Sequence, residues 1–380
     1  MRDVDLRDEA LSFAGALDLE TTDDGLIPRR LPAWTRAQID DEFMDLMVAM
    51  PSGVRLNFVS DATSIELDVH LTLASLTPGT VTRAIFELVL NGVLAGQFVD
   101  TVGSVVDLND GPSSLHVTPG HSSRVVFQHL SPGEKVFEIW LPQAAVVAVQ
   151  ALRLNDGATL RSAAVTRRRW LHYGSSISHG LEADAPTGTW PAFAARAADV
   201  ELTNLSFAGH CLLDQFVART IRDLDVDLIS LKIGINIVNQ NALDIRTFAP
   251  ALHGFLDTIR ERHRDVEILV VSPIYCPIVE EHPGPTIMGS EGRFVTIDDS
   301  SPVRAASLTL RMIRATLERV VTLRRFLGDA HLHYLDGLEL FGVDDVVDLF
   351  DDLHPNARGY RRMGARFVQL AFDDGVFSST

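Results

Sequence analysis

The chain has 380 residues, 46% of them hydrophobic, and a formal net charge of −18 at pH 7. That length can bury an ample core and divide it between two domains. The negative balance argues against nucleic-acid binding and against docking on anionic membranes, and no apolar run approaches the length that spans a bilayer. Met1-Arg2-Asp3-Val4-Asp5 has neither a basic nor an apolar leader region, so a cytoplasmic location is expected. Cys211 and Cys276 make no disulfide framework and suit a reducing compartment. After an irregular, acidic opening, segments alternate apolar and polar with period two: Val54 to Val59, Ser64 to Val69 and Ala84 to Leu90. Asn91-Gly92 then signals a tight turn, and further strand-like runs cover Ser123 to Leu130, Val136 to Leu141 and Val146 to Leu154. Many short strands with almost no helical periodicity predict a β-sandwich of jelly-roll type over residues 1–165. The triplet Arg167-Arg168-Arg169 reads as a solvated linker into a second domain, 166–380.

The second domain opens on its most informative run, Tyr173-Gly174-Ser175-Ser176-Ile177-Ser178-His179-Gly180. A serine in a small-residue turn after a strand can present its hydroxyl to a substrate, and nearby amides can face a carbonyl oxygen. Ala192 to Ala198 reads as a helix, and Leu202 to Ser206 as a strand that runs into a turn at Gly209. Asp227 to Asn236 reads as a buried strand that ends in Gly-x-Asn and places Asn236 at its C-terminal edge. Cys211 reads as a small buried thiol with no catalytic partner. Phe248 to Arg262 is predicted helical and Glu267 to Ser272 a strand, while residues 274–300, rich in Pro, Gly and acids, read equally as a lid or binding loop or as a disordered surface insertion. Leu308 to Leu327 follows as an amphipathic helix. His331-Leu332-His333 reads as alternating side chains of a last strand, and no metal is assigned. Asp351 and His354 then form an Asp-x-x-His pair before a helix whose first turn suits Pro355. Three residues of spacing let the carboxylate reach the inner imidazole nitrogen, which leaves the outer nitrogen to take the serine proton.

These four blocks, in this order, resemble the SGNH (GDSL-like) hydrolase superfamily over about residues 166–380. The resemblance implies a flavodoxin-like α/β/α domain and acyl-serine chemistry. It places the catalytic residues at Ser176, Asp351 and His354 and the oxyanion hole at Ser176, Gly209 and Asn236. Ser175 stands where many members carry aspartate, and Ile237 follows Asn236 where many carry a second one. Similar sandwiches precede the catalytic domain in a two-domain subgroup that includes carbohydrate esterases. There the sandwich is expected to shape one wall of the active site.

The layout also resembles tailoring acyltransferases of aromatic polyketide biosynthesis. The leading expectation is transfer of an aryl or other acyl group from a coenzyme A thioester to a hydroxyl of a small natural product. Coenzyme A would then be a donor substrate, with no resident cofactor, and the partners would be a small-molecule donor and acceptor. An intracellular esterase or deacetylase acting on a carbohydrate ester is the alternative. A non-catalytic glycan-binding protein is a third reading, disfavoured because all five site positions are occupied by competent residues. His179, His210 and Trp190 are expected to be structural neighbours of the pocket.

Overall fold

Period-two alternation in the first part of the chain becomes two packed sheets. The computed structural model describes residues 1–77, 80–108, 115–164, 166–289, 292–297 and 306–378. The described chain forms two units, Met1–Thr166 with Asp184–Thr187, and Arg167–Ala183 with Gly188–Thr380. The first unit begins with β1 (Arg2–Val4), β2 (Ser12–Ala14), β3 (Asp18–Thr22) and β4 (Gly25–Arg29), then helix α1 (Glu42–Ala49). Next come β5 (Arg55–Ser60), β6 (Ile65–Thr77), β7 (Thr80–Val81), β8 (Ala84–Leu90) and β9 (Val93–Asp100). The unit is completed by β10 (Ser104–Asp107), β11 (His116–Thr118), β12 (Ser123–Phe127), β13 (Lys135–Trp140) and β14 (Ala145–Leu154). One sheet runs β2-β5-β13-β8-β9, and the other is built around β6 and β14.

On β6 the odd residues Ile65, Leu67, Val69, Leu71 and Leu73 are buried. They share a core with Leu56, Phe58, Phe86, Leu88, Phe137 and Ile139 of the opposite sheet, where Phe58 and Phe137 stack at 5.0 Å. The even residues Glu66 and Asp68 face outward and pair with Arg124 and Arg153. This is the β-sandwich that the alternation predicts. The opening is the exception, because strands of three to five residues there are too short to show a period, and they read as irregular.

The second unit alternates strand and helix. Its elements are β15 (Arg169–Gly174), α2 (Ser176–His179), α3 (Trp190–Ala197), β16 (Glu201–Ser206), α4 (Gln215–Asp223), β17 (Leu228–Lys232), α5 (Ile235–Asn239) and α6 (Phe248–Arg260). They continue with β18 (Glu267–Val271), the hairpin β19 (Thr286–Met288) and β20 (Phe294–Thr296), α7 (Leu310–Phe326), β21 (Leu332–Leu335), α8 (Gly337–Leu340) and α9 (Ala357–Phe367). The parallel sheet has the order β16-β15-β17-β18-β21. In chain order that is the flavodoxin-like arrangement 2-1-3-4-5.

Every residue of β17 is buried, as expected for a sheet covered on both faces. On one face Trp170 stacks on Phe367 of α9 at 5.3 Å and lies against Trp190 of α3. Its indole N–H donates to Ser230 at 2.8 Å, so the ring is buried without stranding a donor. On the other face Tyr173 stacks on Phe255 of α6 at 5.3 Å. The arginine triplet is no linker: Arg169 begins β15 and pairs with Asp227, and Arg167 pairs with Glu201. His331 and His333 both bond Glu267 of the neighbouring strand, at 2.9 and 2.6 Å.

Candidate active site

The carboxyl ends of β15, β16 and β17 meet where the strand order reverses, the place where open α/β sheets bind ligands. Ser176 follows β15 as the first residue of α2, with Ser175 before it in an extended conformation. Gly174 is required just upstream, because a Cβ there would lie 2.6 Å from the Ser178 hydroxyl. Ser176 Oγ stands 2.8 Å from His354 Nε2, and His354 Nδ1 stands 2.7 Å from Asp351 Oδ2. Residues 178 positions apart in sequence are thus joined in one relay. Ser176, His354 and Asp351 are all buried.

The Asp-x-x-His turn is built as its spacing predicts. Asp351 Oδ1 accepts the amides of Leu353 and His354 at 3.0 and 2.6 Å, while Oδ2 holds the imidazole. Asp352 closes the turn at φ +68°, and the loop is sealed by Phe350 N–H to His354 O at 3.2 Å and Asn356 N–H to Asp348 O at 2.7 Å. The helix starts later than Pro355 suggests. Asn356 is the cap, accepting the amides of Arg358 and Gly359, and Ala357 is the first helical residue. Buried Asp345 and Asp348 bind Arg358, Arg362 and Arg366 of α9, tying the helix to the segment before the loop.

Electrostatics favour a charged pair. Burial alone would raise the Asp351 carboxyl, but the His354 hydrogen bond and charge and two backbone amides hold it below its ordinary value. Burial would likewise push the His354 imidazole down. The charges of Glu182 and Asp351, with the Asp351 hydrogen bond, outweigh it and raise the imidazole to about 9.

Gly209 lies in the left-handed region at φ +76° in the turn after β16. The peptide that carries its N–H is oriented by His210, whose Nδ1 bonds Ala208 O at 2.9 Å, and its own carbonyl accepts from Gln240. Asn236 sits in the first turn of α5, behind a cap at Gly234, so it is not the helix cap itself. Its Oδ1 accepts the Cys211 amide at 3.0 Å, which fixes the side chain and leaves the –NH₂ end as the donor.

Cys211 is fully buried and its thiol is pushed up to about 12, largely by burial, which leaves it inert as a nucleophile. Ser175 is fully buried and its hydroxyl has no hydrogen-bond partner among the described residues, so it takes no part in the relay. Trp190 belongs to the core beneath the site, where its indole donates to Ser178 at 3.2 Å.

Two features have no counterpart in the sequence reading. Within the loop expected over 274–300, β19 and β20 pair as a hairpin, and Phe294 N–H donates to Asp351 O at 3.0 Å. The Phe294 ring lies edge-on to His354 at 5.6 Å, and the Phe350 ring stacks against it at 6.4 Å. Residues 290–291 and 298–300 of that loop fall outside the described residues. The second feature is Glu182, whose Oε1 is 3.9 Å from His354 Nδ1 and whose other oxygen accepts the Tyr360 hydroxyl at 2.9 Å. Tyr360 offers the one sequence signal, since a tyrosine in the apolar stripe of a helix must find a partner for its hydroxyl.

The family model of the GDSL-like lipase/acylhydrolases matches residues 172–362, a span that holds all of these site residues. The chain belongs to the GDSL-like lipase/acylhydrolase family. Among solved structures it is similar to the salicylyl-acyltransferase SsfX3 from a tetracycline biosynthetic pathway, with 29% identity and a TM-score of 0.80. That match covers 96% of this chain and 95% of the other. A GDSL-like lipase of Bacteroides ovatus matches at 17% identity and TM-score 0.64, over 94% of this chain and 95% of the other. A family two carbohydrate esterase of Clostridium thermocellum matches at 14% identity and TM-score 0.57, over 83% and 90%. At those identities the last two show a shared fold. No curated protein matches by sequence. No helix among the described residues is long and apolar enough to cross a membrane.

Proposed function

We propose that this GDSL-family enzyme transfers an acyl group through an acyl-Ser176 intermediate to a hydroxyl of a small natural product such as an aromatic polyketide. Ser176 attacks the carbonyl of an acyl donor while its proton passes to His354 Nε2. Asp351 holds the imidazole by Nδ1 and balances the charge that forms. The amides of Ser176 and Gly209 and the side chain of Asn236 face the tetrahedral oxyanion. His354 returns the proton to the leaving group, and in the second half-reaction it takes the proton of the acceptor hydroxyl. In this reading the donor is a coenzyme A thioester, which arrives as a substrate in the cytoplasm, and no resident cofactor takes part.

The observation that carries acyl-serine chemistry is the continuous relay Ser176–His354–Asp351 at 2.8 and 2.7 Å. The choice of transfer over hydrolysis rests on similarity along 96% of the chain to a salicylyl-acyltransferase. Product analysis tests it. Salicylyl, benzoyl and acetyl coenzyme A are each incubated with the enzyme, with and without polyhydroxylated polyketides and sugars, and products are identified by mass spectrometry. The expected result is an acylated acceptor formed faster than free acid. Free acid alone, at a rate no acceptor changes, would make the protein an esterase.

A further inference from the structure

Two carboxylates face one imidazole nitrogen. Asp351 fills the hydrogen-bonding position on His354 Nδ1 at 2.7 Å, and both of its oxygens are engaged. Glu182, from the segment after α2, stands at 3.9 Å from the same nitrogen, too far to share that hydrogen bond. Its side chain is only 13% exposed. The Tyr360 hydroxyl, on a fully buried ring of α9, anchors its far oxygen at 2.9 Å. Burial, followed by the charge of Glu182, raises the Tyr360 phenol well above its ordinary value, so the hydroxyl keeps its proton and keeps donating. A relay needs one carboxylate, and this enzyme holds a second one in place with its own dedicated donor.

We propose that Glu182, clamped by Tyr360, is a second positioning carboxylate for His354, acting by charge on the imidazolium that forms when Ser176 gives up its proton. This rests on the acyl-serine reading above. Among the described residues, the other groups facing the ring are the Ser176 hydroxyl from α2, Asp351 from its own loop, and the uncharged rings of Phe294 and Phe350. Asp352, one residue further along, is paired with Arg293 at 2.9 Å. Removing the Glu182 charge therefore removes one of the two anions that favour the protonated ring. Its loss makes His354 a weaker base that sheds its proton at lower pH.

The test uses the full chain with p-nitrophenyl acetate as a probe ester and follows kcat/KM from pH 5 to 10.5. In parallel, the His354 imidazole is titrated by NMR in the Ser176→Ala protein, a readout that needs no turnover. Glu182→Gln is expected to move the rising limb and the NMR midpoint down by about one pH unit or more. Tyr360→Phe, which frees the carboxylate without removing it, should move both in the same direction by less. Should Glu182→Gln misfold, Tyr360→Phe still decides the matter. A uniform loss of activity with both midpoints unmoved would make Glu182 a structural residue only and overturn the inference. Turnover by Ser176→Ala would instead bring down the acyl-serine reading itself.

Discussion

At Asp351 one oxygen takes two amides of its own turn and the other takes the imidazole, so the side chain holds both the loop and the tautomer of His354. Asp351→Asn should leave the fold intact and lower kcat by roughly 10³–10⁴-fold, because an amide no longer selects the tautomer with Nε2 free. Steady-state kinetics with circular dichroism checks both halves of that statement. Asn236→Ala removes a side-chain donor and should lower kcat by about 10²–10³-fold with little change in KM. If His354 must be unprotonated to act, kcat/KM should climb through neutral pH, reach half its limit near 9, where the raised imidazole loses its proton, and level off above that. Ser175 is the contrasting case. Its buried hydroxyl has no partner among the described residues, so Ser175→Ala should keep activity and leave the urea midpoint unchanged or higher. Ser176, Gly209, Asn236, Asp351 and His354 were legible as candidates because each sits in a short local pattern. Glu182 was not, since it lies in a segment with no motif and meets His354 only through the tertiary fold.

Elements place these residues, and glycines mark where the backbone is constrained. Gly234 caps α5 at φ +133°, and a Cβ there would lie 2.5 Å from Ile313 and 2.7 Å from Pro273. Gly234→Ala should therefore cost about 1–3 kcal/mol in urea unfolding and displace Asn236, lowering kcat as well. Strands β15 to β18 were legible as apolar runs separated by helical patterns. The hairpin β19–β20 was not, because three-residue strands carry no period and the segment is dense in Pro and Gly. The start of α9 lies just past Pro355, at Ala357. Proline suits a first turn, but here the side chain of Asn356 satisfies the free amides, and that contact decides where the helix begins.

Over the whole molecule, the sheet order 2-1-3-4-5 sets β15, β16 and β17 side by side, so that Ser176, Gly209 and Asn236, far apart in sequence, each follow one of three neighbouring strands. The family resemblance of the four sequence blocks implied that flavodoxin-like arrangement in advance, and the alternation of strands and helices agreed with it. The sandwich was readable from period-two alternation and strand-like runs at β5, β6, β8 and β12 to β14, while the short opening strands, β7 and β9 to β11 were not read as strands. What no pattern encodes is the fate of an acyl group, because a Ser-His-Asp relay can activate water and an acceptor hydroxyl alike. Family membership fixes the chemistry, and the acceptor is settled by shape and by exclusion of water. The most direct test of acyl-serine chemistry is to trap the intermediate. The enzyme is quenched in acid milliseconds after mixing with salicylyl or benzoyl coenzyme A and digested, and the peptide holding Ser175 and Ser176 is sequenced by mass spectrometry. An acyl mass on Ser176, present in Ser175→Ala and missing in Ser176→Ala, is the expected result. Turnover with no acyl-enzyme, or an adduct on Ser175 or Cys211, would contradict it.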